Sequence, residues 1–564
     1  MFEKYKNFYK DRANQKEYAK WLMRYTKPYL PSLFGLLLIN IISVILGTQM
    51  SIVSKDIIDR ATAGQPIVNA IILFVLIMFG STFLSIIVSL VSIVIGEKFA
   101  FGIRRNVYEK ILHTKWGSIT KYHTGDLNTR LTSDTDAIAN GIAGTIPSII
   151  ILIFELIYNF IILFHYSRFL AVASLLITPI ALLASIILGA KLKKLQIKVQ
   201  ESEARYRSFL QESLSNVMVI KAFCDEEHSA EHLTELRNDR LYWILKKNRM
   251  SLATSSTINV CFQIGYIVAF SWGAAGIYNG SITYGTLSLF LALASRVQSP
   301  LISLAQTIPK IVSILASAGR VIELQNLPEE EHHAHTIEAK QIGADVEHLT
   351  FGYNEDTIFE DTSLHIEPGD FVAIVGESGI GKTTLIRLIM SFLSTENGQI
   401  TFFNEMGQQE TSAASSRHFI SYVPQGNTLF SGTIAENVRM GRRTATDEEI
   451  LEALKASSAY DFVKDLPDGV NTRIGEKGHG ISEGQAQRVA LARALVRKAP
   501  FLVLDEATAS LDEKTELRVL EGIRSLTPKP TCILITHRRS VLNYCDREIK
   551  IEHKKIQDIP LGDM

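Results

Sequence analysis

The chain has 564 residues, too many for one hydrophobic core, so its length predicts two or more domains. Hydrophobic residues make up 47 % of the sequence and the mean hydropathy is +0.14, both high for a soluble protein. The 58 basic and 58 acidic residues cancel, which argues against a general nucleic-acid-binding protein. The four cysteines show no metal spacing and no disulfide framework, so they fit a reducing cytoplasmic environment.

Six long apolar segments lie within the first 315 residues, and each has at least the ~20 residues that cross a bilayer as a helix. Four of them cover residues 29–53, 70–95, 141–164 and 169–190. The uncharged run 251–295 is longer than one span requires, and a turn at 279–281 divides it. The sixth segment continues to about residue 315. Buried helices of soluble proteins rarely run this long without charge, so the pattern predicts six transmembrane helices.

Lysine and arginine are unevenly distributed over the connections between these spans. The stretch before residue 29 carries eight of them, residues 97–140 carry seven and residues 191–250 carry twelve. The short connections that alternate with these stretches carry two, one and no lysines or arginines. Because cytoplasmic connections are enriched in basic residues, this pattern places both termini and the two long connections in the cytoplasm.

A polar, acidic stretch separates the apolar part from the rest of the chain. Residues 327–343 have the composition of a linker and include His332, His333 and His335. A metal site is one interpretation of these histidines, but without a second pair of ligands we favour a solvated linker. From residue 344 onward β-type runs alternate with helical ones. This alternation predicts an α/β domain over residues 344–564, after a transmembrane domain over residues 1–326.

Residues 372–385 contain the motif around which the second domain is organised. An apolar β-type run ends at Gly376, a helix begins at about Lys382, and the loop between them has the spacing G-x-x-x-x-G-K-[ST]. Glycines let such a loop curl so that its backbone N–H groups converge on phosphate oxygens. Lys382 is expected to reach the β- and γ-phosphates, and the Thr383 hydroxyl to ligate Mg²⁺. The sequence therefore predicts nucleotide binding.

Two further strands end in polar residues suited to phosphate chemistry. A buried run over residues 501–504 is followed by Asp505 and Glu506. Asp505 is placed to hold Mg²⁺ through water, and Glu506 to polarise the water that attacks the γ-phosphate. Another run, over residues 532–535, ends at Thr536 and His537, whose imidazole is placed to contact the γ-phosphate. The alternative for His537 alone is an ordinary surface histidine.

In their order along the chain, these motifs resemble those of the ATP-binding cassette (ABC) transporters, specifically the half-size exporters with six helices fused to one cassette. Tyr353 matches the aromatic residue that stacks on adenine, and residues 376–384 match the Walker A loop. Gln425 matches the glutamine of the Q-loop. The resemblance implies nucleotide contacts from Tyr353, Gly376, Ser378, Gly379, Gly381, Lys382, Thr383, Thr384, Ser482, Gly484, Gln485 and Asp512. It implies Mg²⁺ ligands in Thr383, Gln425 and Asp505, and catalytic roles for Glu506, His537 and Gln425.

The membrane half resembles the same family. Residues 125–134 are similar to the first intracellular loop of these exporters, and residues 216–227 to the stretch near the second. The resemblance implies short coupling helices near residues 115–130 and 205–225. The segment 472–478 is similar to the exporter-type segment that touches the membrane domain.

One residue departs from the family pattern. The signature Ile-Ser-Glu-Gly-Gln carries Glu483 where the family has glycine. In the family, the signature serine and the following amides bind the γ-phosphate of ATP held by the partner cassette. A carboxylate that points toward this phosphate would repel it, whereas one that points to solvent would leave the Ser482 and Gly484 contacts intact. Since Ser482, Gly484 and Gln485 are retained, we favour the second orientation.

The resemblance implies ATP-driven export or flipping by a dimer that alternates between inward- and outward-facing states. A second copy is the expected partner, and a related half-transporter is the alternative that Glu483 leaves open. Other interpretations are an importer built on the exporter fold and a non-transporting channel or regulator. A bacterial inner membrane is the expected location. No nucleic-acid partner is expected.

The substrate is the part of the function about which the sequence says least. Glu155 in the third span and Arg296 and Gln298 in the sixth are the intramembrane polar residues that could face a central cavity. The alternative for Glu155 is pairing with another helix. One acid and one base per subunit are compatible with an amphipathic drug, lipid or peptide.

Overall fold

The structure is a computed structural model, and it describes residues 12–331, 337, 339–353, 356–395 and 397–560. The chain divides into two compact units. The first, the helical unit, comprises Met1–Lys110 and His123–Asn326. The second, the sheet unit, comprises Ile111–Tyr122 and Leu327–Met564.

The helical unit is built from long helices joined by short turns. They are α1 (Arg12–Thr26), α2 (Leu30–Thr62), α3 (Val68–Leu112), α5 (Thr124–Thr129), α6 (Thr135–Asn140), α7 (Ile146–Tyr166), α8 (Arg168–Ser215), α9 (Val217–Ala222), α10 (Glu226–Tyr278) and α11 (Tyr284–Gln325). A 3₁₀ turn, Lys27–Tyr29, joins α1 to α2, and π-helical segments Arg130–Asp134 and Gly141–Thr145 join α5, α6 and α7. The intervening helix α4 (Trp116–Ile119) belongs to the sheet unit.

Within the described residues, five continuous helical stretches are long and apolar enough to cross a membrane: Lys20–Thr62, Val68–Leu112, Thr124–Tyr166, Glu226–Tyr278 and Tyr284–Gln325. The remaining predicted span, residues 169–190, lies in the 48-residue helix α8. The side chains of residues 173–186 lie outside the described part. The apolar runs thus fold as the long helices that the sequence predicts, and their charged ends continue as helix.

Polar groups inside this unit pair with one another. Thr48 of α2 donates to Asn159 of α7 across 2.9 Å, and both side chains are fully buried. Farther along, Asp134 accepts hydrogen bonds from Ser317 and from the guanidinium of Arg320. Because a buried polar group is costly without a partner, the first pair holds α2 against α7, and the Asp134 contacts hold α11 against the π-helical segment.

The described residues of the sheet unit form three sheets. Its strands are β1 (Ile342–Tyr353), β2 (Asp356–Ile366), β3 (Phe371–Val375), β4 (Asn397–Asn404), β5 (Gln409–Thr411), β6 (Ile420–Val423), β7 (Gly432–Thr433), β8 (Arg473–Ile474), β9 (Phe501–Asp505), β10 (Thr531–Ile535), β11 (Arg547–Glu552) and β12 (Lys555–Pro560). The six-stranded sheet has the order β12-β11-β3-β10-β9-β6, with all neighbours parallel except β12. Strands β2, β1, β4 and β5 form an antiparallel sheet, and β7 pairs with β8.

Helices and short turns flank these sheets. The helices are α12 (Lys382–Ile389), α13 (Ile434–Arg439), α14 (Asp447–Ala456), α15 (Tyr460–Lys464), α16 (Glu483–Leu495), α17 (Glu513–Arg524) and α18 (Arg539–Leu542). The 3₁₀ turns are Ala414–Phe419, Gly469–Asn471 and Glu476–Gly478. Strands β3, β9 and β10 are buried on both faces, which explains their continuous apolar sequences. The α/β fold expected from the sequence is confirmed.

The segment that contains α4 pairs with the start of the linker. The backbone N–H of Lys115 donates to the carbonyl of Pro328 across 3.0 Å, and that of Glu330 donates to His113 across 2.8 Å. Arg417 binds both oxygens of the half-buried Glu330 carboxylate, at 2.8 and 2.9 Å. The expectation of a solvated linker is therefore wrong at Glu330, because a bidentate arginine holds this carboxylate in place. His332, His333 and His335 lie outside the described residues.

Candidate nucleotide site

The candidate site lies at the carboxyl edge of the six-stranded sheet. Strands β3, β6, β9 and β10 are parallel, so their carboxyl ends meet at one edge. The predicted phosphate loop follows β3, the carboxylates end β9, and Gln425 and His537 follow β6 and β10. Open α/β sheets bind ligands at this edge. The fold therefore collects residues from four distant parts of the sequence.

Residues 376–381 form a loop between β3 and the N-terminus of α12. Gly379 and Gly381 have φ angles of 81° and 116°, in the region that favours glycine. A Cβ atom at residue 381 would also lie only 2.6 Å from the Ile358 side chain. Ser378 and Gly379 are exposed at the tip of the loop, whereas Thr384 is buried in the first turn of α12. The loop thus needs its glycines to bring backbone N–H groups to the helix N-terminus, where anions bind.

The ammonium group of Lys382 folds back along this loop. Its Nζ atom donates to the carbonyls of Gly376 and Glu377, at 2.8 and 2.9 Å. Burial lowers the pKa of Lys382, and the negative charges of Glu506 and Asp505 oppose this shift. The cation is therefore held beside both carboxylates, at the end of the loop where phosphates are expected.

Asp505 is 1 % exposed and is held from two sides. The Thr383 hydroxyl donates to its Oδ1 atom across 3.2 Å, and the Tyr422 hydroxyl donates to its Oδ2 atom across 3.3 Å. Burial raises the pKa of Asp505 most, while these two hydrogen bonds lower it. Burial, with Asp505, raises the pKa of Tyr422, so the phenol stays protonated and remains a donor. Tyr422 was not predicted to be a site residue. Its position in β6, three residues before Gln425, was the available signal.

Glu506 adopts a φ angle of 52°, which turns the chain sharply after β9. The side-chain amide of Gln425 donates to its Oε2 atom across 2.8 Å. Nε2 of His537 lies 3.5 Å from its Oε1 atom. The three residues with predicted catalytic roles therefore meet in one cluster at the sheet edge. Backbone strain of this kind costs about 1–3 kcal/mol and is frequent where a side chain must be aimed.

Tyr353 ends strand β1 with its ring partly exposed. It packs edge-on against Phe351, with the ring centroids 5.1 Å apart. An aromatic ring that is fixed on one side and open on the other offers a face for stacking.

The signature residues begin helix α16. Ser482 is its N-cap: its hydroxyl accepts from the N–H of Gln485 at 3.3 Å, and the Gln485 side chain accepts from the N–H of Ser482 at 2.9 Å. This reciprocal pair is a capping box. Glu483 follows in the first turn and is exposed. A carboxylate there interacts favourably with the helix dipole, so glutamate is tolerated at this position.

The residues around Asp512 are held by Gln487 and Arg538, neither of which was predicted to be a site residue. The Gln487 side chain accepts from the backbone N–H of Ser510 at 3.2 Å and from its hydroxyl at 2.6 Å. Arg538 donates to the carbonyls of Leu511 and Ala509, at 2.7 and 2.9 Å. Asp512 itself caps α17, and its hydrogen bond from Thr515 lowers its pKa. For Arg538, the sequence signal was its position directly after His537.

The predicted site residues thus fall into two groups. One group lies in the phosphate loop or at the carboxyl edge of the sheet: Gly376, Ser378, Gly379, Gly381, Lys382, Thr383, Thr384, Gln425, Asp505, Glu506 and His537. Tyr353 lies at the end of β1. The other consists of Ser482, Gly484, Gln485 and Asp512. Gly484 lies against this second region, because a Cβ atom there would be 3.0 Å from the Ser510 carbonyl. Within the described part of the chain, no hydrogen bond or ion pair joins the signature residues to the phosphate loop.

The candidate substrate residues occupy different environments in the helical unit. A Cβ atom at Gly47 of α2 would lie 3.0 Å from the Arg296 guanidinium, so this glycine permits the close approach of α11. Gln298 is 7 % exposed, and its Nε2 atom has no hydrogen-bond partner among the described residues. Glu155 is half-buried. These positions do not by themselves define a cavity.

Comparisons with known proteins agree with this arrangement. Residues 31–301 match the ABC transporter transmembrane region, and residues 359–509 match the ABC transporter domain. An ATP-dependent lipid A-core flippase of Syntrophus aciditrophicus is 29 % identical over 94 % of this chain and 89 % of that protein. A Staphylococcus aureus protein, named as a multidrug export ATP-binding/permease protein, is 31 % identical over 82 % of this chain and 80 % of its own length.

The fold agrees with a solved structure as well. A bacterial Atm1-family ABC exporter with ATP bound matches with a TM-score of 0.79, at 23 % identity and 94 % coverage of both chains. The expected family, fold class and enzymatic activity are confirmed. The chain belongs to the ABC transporters, as a multi-pass membrane protein of the half-size exporter type that couples ATP binding and hydrolysis to transport.

Proposed function

We propose that this chain is one half of a dimeric exporter that uses ATP and Mg²⁺ to move an amphipathic substrate out of the cytoplasmic leaflet. The cluster of Glu506, Gln425 and His537 beside Lys382 carries the proposal. It supplies a carboxylate, an amide, an imidazole and a cation at the sheet edge. These are the groups that phosphoryl transfer to water requires.

The side chains at the end of β9 suit Mg²⁺. The Thr383 hydroxyl and the Asp505 carboxylate lie 3.2 Å apart, and Gln425, whose amide nitrogen donates to the neighbouring Glu506, carries a further oxygen. Hard cations such as Mg²⁺ prefer these oxygen ligands. When bound, Mg²⁺ would neutralise charge on the β- and γ-phosphates. Asp505 would hold it through water, as its burial behind Thr383 and Tyr422 leaves little room for direct ligation.

Each remaining residue has one task in this proposal. The phosphate loop and Lys382 bind the phosphates, and Tyr353 stacks on adenine. Glu506 accepts a proton from the attacking water and orients it, while Gln425 and His537 fix its carboxylate. Hydrolysis therefore depends on Glu506, whereas affinity for ATP depends on Lys382.

A second chain is needed because the signature residues belong to a different face. Ser482 presents a capped helix N-terminus, a favourable site for an anion, away from this chain's own phosphate loop. Two chains placed head to tail would bring each signature to the other's ATP. The exposed position of Glu483 supports a homodimer, because its carboxylate does not occupy the cap. ATP would then drive the cycle by binding the closed dimer better than the open one.

Orientation and substrate class follow from charge and from the relatives. The excess of lysine and arginine in the long connections supports cytoplasmic termini in a bacterial inner membrane. One relative is named as a lipid A-core flippase and another for multidrug export, and we propose an amphipathic substrate because the membrane half has few intramembrane charges. Arg296, Gln298 and Glu155 are the residues that we propose for substrate contact.

The test uses purified protein in liposomes that contain a fluorescent phospholipid in one arm and an amphipathic dye in another. ATP should move one of these compounds away from the face that carries the nucleotide domains, and the compound should raise ATP hydrolysis. The Glu506→Gln variant is the matched control, and it should bind ATP without transport. ATP-dependent movement toward that face would contradict export. Active ATPase in which tagged and untagged copies never co-purify would contradict the homodimer.

A further inference from the structure

A groove between α1 and α3 lies outside the nucleotide site and the candidate substrate residues. Its wider part has a volume of about 680 Å³ and is lined by some of the residues within segments 24–29 and 98–109. Its narrower part, of about 450 Å³, is lined by Tyr29, Ser32, Leu90, Val91, Val94, Ile95 and Lys98. The two parts share Tyr29 and Lys98, so they adjoin at these residues.

The wider part carries an excess of positive charge. Arg105 is paired with Glu109 at 2.8 Å, so these two charges offset each other. Arg24 and Lys98 also line it, and neither has an ion pair or a side-chain hydrogen bond within the described ranges. Two exposed cations without an acidic partner favour an anionic ligand.

The narrower part is apolar. Leu90, Val91, Val94 and Ile95 of α3 line it, together with the ring of Tyr29 and with Ser32. Leu90 and Val94 are exposed, so much of their surface is left uncovered by the described part of the chain. The five steps from Leu90 to Ile95 correspond to about 8 Å of helix. This length suits the first part of an acyl chain, the rest of which would lie in the bilayer.

The two parts meet at the predicted membrane boundary. The uncharged run 70–95 of α3 ends just before Glu97 and Lys98, and the uncharged run of α2 follows Tyr29. The Tyr29 hydroxyl donates to the carbonyl of Lys98 across 3.4 Å, and its ring packs against Phe99. Tyrosine prefers this interfacial position. The cationic part therefore lies at headgroup level and the apolar part at acyl-chain level.

We propose that this groove binds one anionic phospholipid of the cytoplasmic leaflet. Its phosphate would lie beside Arg24 and Lys98, and the start of one acyl chain beside Leu90 and Val94. Basic pockets at the cytoplasmic ends of transmembrane helices recognise anionic lipids in this way. The leaflet follows from the orientation proposed above, whereas the charge and shape of the groove do not depend on the transported substrate.

Bound lipid would stabilise the contact between α1 and α11. In α1, Trp21 donates to the Gln325 side chain across 2.7 Å, and the Tyr25 hydroxyl accepts from it across 2.9 Å. Arg24 lies between these two residues in the sequence. A lipid phosphate on Arg24 would therefore restrain the helix that holds the end of α11.

The test measures lipid binding by native mass spectrometry of delipidated, full-length protein titrated with phosphatidylglycerol or phosphatidylcholine. Wild-type protein should retain phosphatidylglycerol in preference to phosphatidylcholine. The Arg24→Gln/Lys98→Gln double variant should bind it on the order of 30-fold more weakly, since each basic residue near the surface contributes about fivefold. Both side chains are exposed, so folding should be unaffected. Equal binding by wild-type and double variant would overturn the proposal.

Two matched variants separate this site from other sources of affinity. Lys191→Gln removes an exposed lysine where the uncharged run of α8 ends, so it controls for general attraction to a charged surface, and it should bind as wild type. Val94→Trp fills the apolar part and should weaken lipid binding although it removes no charge. If Lys191→Gln lowers binding as much as the double variant, the site is not the groove.

Two further experiments test whether something other than a phospholipid occupies the groove. Water-soluble glycerophosphate should not compete with phosphatidylglycerol, because it lacks the acyl chain. Competition at equal concentration would show a free-phosphate site and overturn the proposal. A variant lacking residues 1–11 should bind phosphatidylglycerol as wild type does. Binding that appears only in this deletion would show that the N-terminal segment is the occupant.

Discussion

Two short helices, one in each unit, differ in what covers them. In α4, Trp116 is 43 % exposed, its ring lies 5.6 Å from that of Phe392, and the preceding residues pair with the linker. In α9, Met218 is 79 % exposed, and Phe223, which follows the helix, is 80 % exposed. The first helix is thus built into the sheet unit of its own chain, whereas the second presents bare apolar side chains.

This difference indicates what the chain lacks. Large apolar side chains at a helix end that faces water are costly, and a cluster of them commonly marks a protein–protein contact. Since α4 already packs against the sheet unit of its own chain, we infer that α9 packs against the nucleotide domain of a second copy. One chain would then transmit its nucleotide state through α4 and receive its partner's through α9.

The largest expected effect is the loss of ATP hydrolysis in a variant that still binds ATP. Glu506→Gln should lower ATP hydrolysis by at least about 10³-fold, because it removes the group that accepts the proton from water. ATP binding should persist, so the closed dimer should accumulate. Hydrogen exchange with and without ATP should show new protection in α9 and little change in α4. Normal turnover by this variant would contradict the assignment of Glu506.

Lys382→Ala is the matched contrast, because it removes a cation from the same site. It should weaken ATP binding about 10- to 100-fold, the value of one charge-assisted hydrogen bond. No closed dimer should then accumulate at moderate ATP concentration. An unchanged affinity for ATP would contradict the role of Lys382.

The next effect comes from changing the uncovered helix itself. Phe223→Asp should lower substrate-stimulated ATPase about 30-fold, as expected for the loss of an apolar residue at the centre of an interface. The variant should fold and bind ATP, because Phe223 makes little contact within its own chain. Met406→Asp places the same charge at an equally exposed turn of the sheet unit and should change nothing. Loss of activity in both variants would show that the effect of Phe223→Asp is not specific to α9.

A smaller effect is expected from weakening the contacts that hold α4 in the sheet unit. Arg417 binds Glu330, donates to the carbonyls of Met390 and Ser391, and lies 4.2 Å from the Phe392 ring centroid. Arg417→Met should therefore leave Glu330 unpaired and cost about 2 kcal/mol. Residues 111–122 should then exchange amide hydrogens about 30-fold faster.

The control for this prediction is Lys464→Met, which breaks the exposed ion pair with Asp461 in the same unit. It should cost less than about 0.5 kcal/mol. Equal exchange rates in residues 111–122 for Arg417→Met and wild type would show that the linker does not hold α4.

The smallest effect is expected at the signature. Glu483 is exposed in the first turn of α16, so Glu483→Gly should change ATPase activity less than about threefold. It should destabilise the helix by about 1 kcal/mol, because glycine is a poor helix former and the favourable charge is lost. A rise in activity of tenfold or more would show that the carboxylate faces the partner's ATP.

The sequence predicted which residues lie together at the sheet edge, because the order of strands and motifs determines which groups meet there. It did not predict Tyr422 or Arg538, whose roles depend on hydrogen bonds to Asp505 and to the carbonyls of Ala509 and Leu511. It was wrong about Glu330, whose partner Arg417 lies 87 residues away in a stretch without a motif. Acidic composition alone does not distinguish a solvated carboxylate from a paired one.

The sequence also gave no sign that residues 111–122 belong with the sheet unit. That assignment depends on backbone pairing with residues 328–330, which any residue type can make. By contrast, the long apolar helices were predictable, because bilayer thickness fixes their length and composition. Short segments that take their structure from distant contacts were not.

The most direct test of the central claim uses Cys224, an exposed cysteine next to Phe223. Cys532 and Cys545 are buried, and Cys261 is half-buried in an apolar run, so a water-soluble maleimide should react first at Cys224. In the active, reconstituted transporter this reaction should be slow, because in the proposed dimer a second copy covers α9. The Phe223→Asp variant should react rapidly under the same conditions. Equally rapid labelling of a fully active wild-type transporter would contradict the account.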